Sequence, residues 1–552
     1  MRDIASRLLL VAVGASCAGA SAFAQIAPSQ TQEPLIPGLP NSRLMPPDTT
    51  LQPNVQPAPT PTLGYPTFNP FRRPIRTDPL GPWQITPRLE ARETFDSNPT
   101  GAPRGATRPD GFSSLLPGVN ISHQSDRNTF VLDYQAEGRK YYSDQDLDQI
   151  RNNLSEFSTT RVLEELLFVD TRANIGQALI NQRGAVSATP QLQSANETEY
   201  YDFLLSPYLR NHFGGFADTE LRYSLADSTF KNSAGGQLPS SLTNQVSGTV
   251  NSGADFAREL WSLNGLYANT DRSGLSSSIL APQFATRDLN APATRGTISA
   301  GVEYAVTRQY SVLGTVGYES IHDPTLVHNI DDPTWSGGFR LRPGPNTNLL
   351  LTYGFRDGEH FWQGNATYDY DPGTRFVARY SEGLVTVDTL MQSSLGALGV
   401  DEFGNFIDPV TRQQFDPTAS LFSLTSLSFR QKRFDSTFHA VRQVNYFDLL
   451  LYNEDRTTQV TQTSDSSYGV TASWGRDLNA LTNAFVEFRY QHIKFQPDQR
   501  VDHNYGFTLG VRYALTPTID TYANYSYFTR DSQPSTNNLD DHVMFVGIRK
   551  LF

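Results

Sequence analysis

The sequence predicts an all-β protein: a transmembrane, antiparallel, up-and-down β-barrel of about 22 strands, within a range of 20–24, behind a disordered proline-rich segment. Three observations predict it. From Thr86 onward, segment after segment alternates apolar with polar residues, the two-residue period of a strand with two unlike faces. No helical pattern is available to cover so large a sheet, and open twisted sheets rarely exceed about 10 strands, so closure is the expected solution. Short turns and long loops also alternate along the series, as they do when tight turns line one side of a membrane and long loops the other.

Residues 1–24 read as a secretory signal. Arg2 and Arg7 supply the positive end, Leu8 to Ala15 the apolar run, and Ala22-Phe23-Ala24 the small-x-small cleavage pattern before Gln25. The one cysteine, Cys17, falls inside this segment, and Gly14 stands where a lipoprotein box wants an aliphatic residue. Simple removal is expected, leaving a cysteine-free chain that needs no disulfide in an oxidising compartment. No other run approaches the roughly 20 apolar residues of a spanning helix, so membrane entry requires a closed barrel.

Residues 25–85 form the leader, and 25–82 hold fifteen of the 35 prolines. Proline donates to neither ladder nor helix, so this stretch is expected to be extended. It suits a periplasmic tether, or a docking arm for a periplasmic export partner, or a partial lumen plug. It is too short and too interrupted to build the folded plug domain of a TonB-dependent transporter.

Residues 86–552 carry the strands. In 128–142, Phe130, Leu132, Tyr134, Ala136 and Gly138 oppose Asp133, Gln135, Glu137 and Arg139. In 216–226, Ala217, Leu221, Tyr223 and Leu225 oppose Asp218, Glu220, Arg222 and Ser224. In 483–492, Ala484, Val486, Phe488 and Tyr490 oppose Glu487, Arg489 and Gln491; in 505–515, Phe507 to Leu515 oppose Thr508, Gly510 and Arg512. The expected starts lie near 86, 111, 127, 150, 167, 197, 216, 240, 259, 294, 309, 333, 346, 360, 373, 418, 435, 465, 482, 501, 518 and 541. Tight links such as Ser125-Asp126, Phe213-Gly214-Gly215 and Thr516-Pro517 alternate with long ones at 96–110, 182–196, 273–293, 387–417 and 448–464. Asp357-Gly358-Glu359 is the one short link on the long-loop side. This parity puts both termini in the periplasm.

The closing strand, His542 to Phe552, places Met544, Val546, Ile548 and Phe552 on one face. An apolar row ending on a terminal aromatic resembles the C-terminal assembly signal of bacterial outer-membrane proteins. That resemblance implies the outer membrane as location and the barrel-assembly machinery and outer-membrane lipid as partners. Lys550 stands where an aromatic or apolar residue is usual, and a lysine at an interface can snorkel to the headgroups.

The chemistry of the chain points away from several classes. A net charge of −12 argues against nucleic-acid binding, which needs clustered Lys and Arg. No zinc-protease, nucleophile-elbow or phosphate-loop motif occurs, so no catalytic residue and no cofactor is expected. His439 and His492 are the candidates for an outer-membrane hydrolase, weighed against simple girdle or lumen histidines. Asp401 to Pro409 is oxygen-rich but lacks EF-hand spacing, so a hairpin is expected there and no metal. The inferred lumen face carries both signs: Asp133, Glu137, Asp218, Glu220 and Glu487 against Arg139, Arg222, Arg379, Arg489 and Arg512. They suit either paired charges that hold a wet wall together or a polar conduit for hydroxyl-rich or charged solutes. Tyr141, Tyr208 and Tyr522 share that face and could stack on sugar rings.

The stretches P-R-L-E-A-R-E-T-F-D-S-N (87–98), S-P-Y-L-R-N-H-F-G-G-F-A-D-T-E-L-R-Y (206–223) and G-T-V-G-Y-E (314–319) carry a wider likeness. They resemble the outer-membrane barrel porins associated with exosortase/PEP-CTERM systems and the wider beta-barrel porin-2 group. The resemblance implies an outer-membrane barrel from a locus that makes or exports extracellular polysaccharide, with no established catalytic residues to carry over. The expected function is a passive conduit for exopolysaccharide or its fragments, with loop 387–417 as the constriction. An outer-membrane enzyme acting on lipid or polysaccharide, and a docking barrel without through-flow, are the alternatives.

Overall fold

The structure, a computed structural model, describes residues 81–552 apart from 187–195, 232–239, 275–287, 372, 402–403, 413–414 and 416–426. The expected signal segment and the leader up to residue 80 lie outside the described residues. The strands are β1 (Gln84–Asp96), β2 (Asp110–Gln124), β3 (Asn128–Tyr141), β4 (Gln149–Leu163), β5 (Leu167–Leu179), β6 (Glu197–Phe213), β7 (Ala217–Phe230), β8 (Ser240–Ser252), β9 (Glu259–Ser273), β10 (Ala293–Ala305), β11 (Tyr310–His322) and β12 (Ile330–Leu341). They continue with β13 (Thr347–Arg356), β14 (Glu359–Asp371), β15 (Thr374–Val385), β18 (Phe429–Arg442), β19 (Asn445–Thr458), β20 (Ser464–Asp477), β21 (Thr482–Lys494), β22 (Val501–Thr516), β23 (Ile519–Gln533) and β24 (Leu539–Leu551). Between β15 and β18 stand one helix, α1 (Val387–Gly396), and a two-residue ribbon, β16 (Gly399–Val400) with β17 (Phe406–Ile407).

Apart from that ribbon, each strand pairs antiparallel with its neighbours in sequence, and β1 pairs with β24 from Arg88↔Leu551 to Asp96↔Val543. The result is a closed barrel of 22 strands, the number expected. Closure leaves no free ladder edge, which hydrocarbon requires. The short connections share one rim with the start of β1 and the end of β24; the long loops share the other.

The faces alternate as the sequence reading requires. Exposed apolar residues point outward, and polar, largely buried ones point in. On β24, Met544, Val546, Ile548 and Phe552 lie on the outer face at 45–65% exposure. Lys550 bends so that its ammonium sits 4.8 Å from the centre of the Phe552 ring.

Two expected starts move. The strands placed near 418 and 435 begin at Phe429 and Asn445, and the expected loop 448–464 is strand as far as Thr458. The polar run Asn453-Glu454-Asp455-Arg456 reads as loop because it is charged. In the barrel, Glu454 and Arg456 point inward, where a wall can hold charges, and Arg433 on β18 pairs with Glu454 at 2.7 Å.

The short Asp357-Gly358 link holds as read. Both residues take positive φ, 52° and 74°, the backbone of a type I′ hairpin turn. Gly358→Val forces a β-branched side chain into that region. It is expected to lower stability by about 1–2 kcal/mol, read as a lowered urea midpoint in detergent. Gly314→Ala, where an added Cβ meets nothing within 4 Å, is expected to leave the midpoint unchanged.

Candidate functional site

The inner wall is built from charges that the two-residue period brings to one face, where they pair along a strand or across to nearby strands. Arg88 on β1 grips Asp133 on β3 through both oxygens, at 2.5 and 2.6 Å. Glu137 receives Arg139 at 2.8 Å and lies 3.4 Å from Arg92. Arg222 lies between Asp170 (3.2 Å) and Glu220 (2.9 Å), and Arg210 joins Glu220 at 2.8 Å. Asp218 meets His212 at 2.7 Å near the short-turn rim. Arg379 reaches Asp435 at 3.1 Å, and Arg433 bridges Asp435 and Glu454. Arg489 donates to Glu487 at 2.5 Å, while Arg512 and Arg549 share Asp520 at 3.0 Å each.

Nine of the ten residues singled out as lumen wall therefore have an opposite charge within reach, and the tenth, Asp218, has the His212 ring. Arg433, Asp435 and Glu454 are each 2% exposed or less, and an unpaired charge so buried would cost several kcal/mol. The wall binds itself. The inward tyrosines are also engaged. Tyr208 stacks on Phe168 and lies under the Arg222 guanidinium at 3.8 Å. Tyr141 packs on Phe112, and Tyr522 donates to Glu90.

Two long loops fold into the lumen rather than away from it. The loop between β15 and β18 opens with α1. Thr386 caps it reciprocally with Thr389, and Val387, Leu390, Met391 and Leu395 form its buried apolar stripe. That stripe packs with Ala178, Tyr200 and Phe230 of β5–β7, together with Val385 and Phe429. Strands β5–β7 lie across the ring from β15 and β18, so this apolar cluster bridges the lumen. Arg272 on β9 latches the helix, meeting Asp388 at 2.8 Å and Asp323 at 2.9 Å. Further on, Leu398 accepts from Arg172 at 3.2 Å, and Arg412 comes within 3.8 Å of Asp369, close above the β14–β15 turn. The loop thus runs from the long-loop rim down to the short-turn end.

The loop between β5 and β6 makes a second strap. Arg183 reaches Asp498 (2.6 Å) and Asp465 (3.3 Å) and covers the Phe495 ring at 4.4 Å. Arg500 and Arg530 donate to the carbonyls of Arg183, Gly184 and Gln182. Leu179 and Val186 pack on Phe528 and Leu539.

Both straps leave from forks in the wall. The β4–β5 ladder ends at Leu154↔Ile175, and the β14–β15 ladder at Gln363↔Ser381. Beyond each, side chains replace the missing backbone partners. Glu199 accepts from the Asn152 amide at 3.1 Å and Gln177 donates to its carbonyl at 3.2 Å. At the other fork, Asp357 accepts from the Leu384 amide at 3.2 Å and Arg356 donates to the Glu382 carbonyl at 2.9 Å.

The remaining candidates disperse. His439 faces inward against Asp448 at 2.7 Å, whereas His492 lies on the outer face beside Tyr468 and His503, with ring centres 4.8 and 4.7 Å away. They form no common site. Asp401 and Asp408 bind the turn of their own loop, Asp401 through Asn405 and Asp408 through the Val410 amide at 2.7 Å. Among the described residues no three metal-ligating side chains converge. Sequence reading missed α1 and the second strap. The signal for the first was Thr386-x-x-Thr389 followed by Leu390, Met391 and Leu395 at helical spacing.

Residues 455–552 match the family described as "Putative beta-barrel porin 2". No curated protein matches the chain. Among solved structures it is similar to the siderophore receptor PirA from Acinetobacter baumannii, at 9% identity and a TM-score of 0.46 over 86% of this chain and 81% of that one. It is similar to the FrpB iron transporter from Neisseria meningitidis at 10% identity and a TM-score of 0.45, over 86% and 82%. OmpT, an outer membrane protein of Vibrio cholerae, gives 8% identity and a TM-score of 0.27 over 85% and 97%. The fold is that of an outer-membrane β-barrel, porin-like in kind.

Two predictions test the straps. In a chain that begins at Gln25, which has no cysteine, Leu390→Cys places a single thiol inside the bridge, and it should react slowly with a maleimide. Adding Arg272→Met removes the latch and leaves Asp388 and Asp323 unpaired, so labelling should quicken about tenfold or more. The Asp498 carboxyl is held below its ordinary range, chiefly by the hydrogen bond from Arg183. A depressed carboxylate contributes above its unfolded pKa, near 4, and loses that contribution as pH falls through its folded value. The second strap should therefore stay docked from neutral to mildly acid pH and loosen only below about pH 4. Asp498→Asn should loosen it at pH 7, with proteolysis near residue 183 as the measure.

Proposed function

We propose that this chain is an outer-membrane conduit for polar solutes, narrowed by two loops drawn into its own lumen. The observation that carries this reading is the bridge from α1 to β5–β7 across an otherwise polar, water-compatible interior. A barrel of this many strands without such loops encloses a wide channel. Loop 387–417, expected as the constriction, supplies α1 and the descending segment.

The cargo is an exopolysaccharide or its fragments. The likeness of 87–98, 206–223 and 314–319 to the barrel porins of exosortase/PEP-CTERM systems supports this. The short-turn rim, with both barrel ends, faces the periplasm, and the long loops face outward; the signal-like start of the chain supports that orientation. The leader then hangs in the periplasm, free to hold an export partner. A second reading, a docking barrel without through-flow, draws on the same bridge.

Planar bilayers separate the two. The conduit should give a small, steady conductance that soluble oligosaccharides reduce. Replacing 387–427 by a short Gly/Ser linker should raise it severalfold. A barrel that stays silent both with and without the loop overturns the conduit reading.

A further inference from the structure

The lumen wall is zoned. On β18–β24 and β1–β7 the inward face at mid-height is charged, and those charges are mostly buried in ion pairs. On β8–β13 it is neutral. Strand β8 carries no charged residue at all. Its inward positions are hydroxyls and amides, among them Gln245 and Thr249; on the neighbouring strands Ser262, Asn264, Thr315 and Ser336 share the inward face with Leu260, Leu266, Leu313 and Leu350. Charges in this sector lie towards its two ends: Arg272, Arg295, Glu319, Asp332 and Arg356 by the long loops, and the Glu303–Arg340 pair (2.7 Å) by the short turns.

Accessibility divides the same way. Those six neutral polar side chains are only half-buried, so the surface that water can reach at mid-height in this sector is uncharged. The straps hold to β5–β7, β14 and β20–β24. Among the described residues, they touch β8 and β9 only near the long-loop rim, where Gln392 donates to Thr243 and Arg272 meets Asp388. Two buried acceptors in the sector, Oδ1 of Asn251 and of Asn264, have no protein partner.

We propose that the β8–β13 wall is a binding track for an uncharged, polyhydroxylated chain: a neutral glycan. This rests on the conduit reading and narrows its cargo. Hydroxyls and amides exchange hydrogen bonds with sugar hydroxyls in place of water at little net cost. Many weak, equivalent sites along one wall let a chain enter and also leave. An anionic glycan gains little there, because among the described residues the inward arginines of these strands, Arg272, Arg295, Arg340 and Arg356, already have carboxylate partners.

The test reads binding rather than flow. Detergent-solubilised full-length processed chain is dialysed against labelled maltohexaose or a hexameric oligogalacturonate. The neutral sugar should bind at least about fivefold more tightly than the anionic one. The triple variant Gln245→Leu, Asn264→Leu, Thr315→Val should weaken maltohexaose binding about tenfold, the worth of one or two lost hydrogen bonds. Thr315→Ser alone should leave it unchanged, and unaltered heat-modifiable mobility shows that each barrel is intact. Equal or tighter binding of the anionic sugar overturns the proposal, as does a triple variant that binds like the parent, or no binding of maltohexaose at all. A silent bilayer trace with maltohexaose bound would instead count against the conduit reading alone.

Discussion

Hydrocarbon offers no hydrogen bonds, so every backbone amide and carbonyl of this chain at membrane depth must find its partner within the protein. The pairing of β1 with β24 meets that demand for the last free edge, and the rest of the design follows from it. Once the sheet is closed, each strand must present one face to lipid and one to the interior. The outer row of Met544, Val546, Ile548 and Phe552 and the inner row of Arg88, Glu90 and Arg92 are two outcomes of the same period.

An inner wall made polar in this way creates a second demand. Charges placed there are removed from bulk water by their neighbours and must be neutralised in place. The ion pairs therefore run in chains across strands, as in Arg379–Asp435–Arg433–Glu454–Arg456. Each member touches the next, so the removal of one would strand another, and the chain holds strands in register as much as it lines a pore. At the two forks, Glu199, Asp357 and Arg356 take over the work of a ladder that has parted. The wall can open there because charged side chains, longer than a backbone hydrogen bond, span the gap.

Much of this was legible in the sequence. Period-two alternation identified the strands, turn chemistry their parity, and the 22-strand count came out as read. The misplacement at 418 and 435 had a physical origin. Asn453 to Arg456 looks like a loop because in most proteins four consecutive polar residues are solvated, whereas a barrel with a wet interior and a tolerant rim can thread them through a strand. The ten wall residues were identifiable by their face, and Glu137 with Arg139, Glu220 with Arg222 and Glu487 with Arg489 pair two apart on one strand; the partners Arg88, Asp170 and Asp435 were not legible, since they meet the wall residues only through register between strands distant in sequence. The bridge was hidden for the same reason. Leu390 and Met391 look like loop residues until Ala178, Tyr200 and Phe230, from across the ring, are set against them.

The two kinds of contact in the lumen differ in what they resist. The wall is held by charge pairs in poorly hydrated surroundings, which are costly to separate and short in range, so it behaves as a fixed frame. The bridge is held by one apolar cluster, the Arg272 latch on Asp388 and a few polar contacts such as Gln392 with Thr243 and Arg172 with Leu398. Apolar contact is non-directional, and each face of the cluster can slide or part without stranding a charge, except at Asp388. The contacts of α1 are therefore the cheaper ones to part, while the wall is held strand to strand. The same division marks the β8–β13 wall: Arg272 and the Gln392–Thr243 bond tie the strap to it near the long-loop rim, and at mid-height its inward side chains are uncharged.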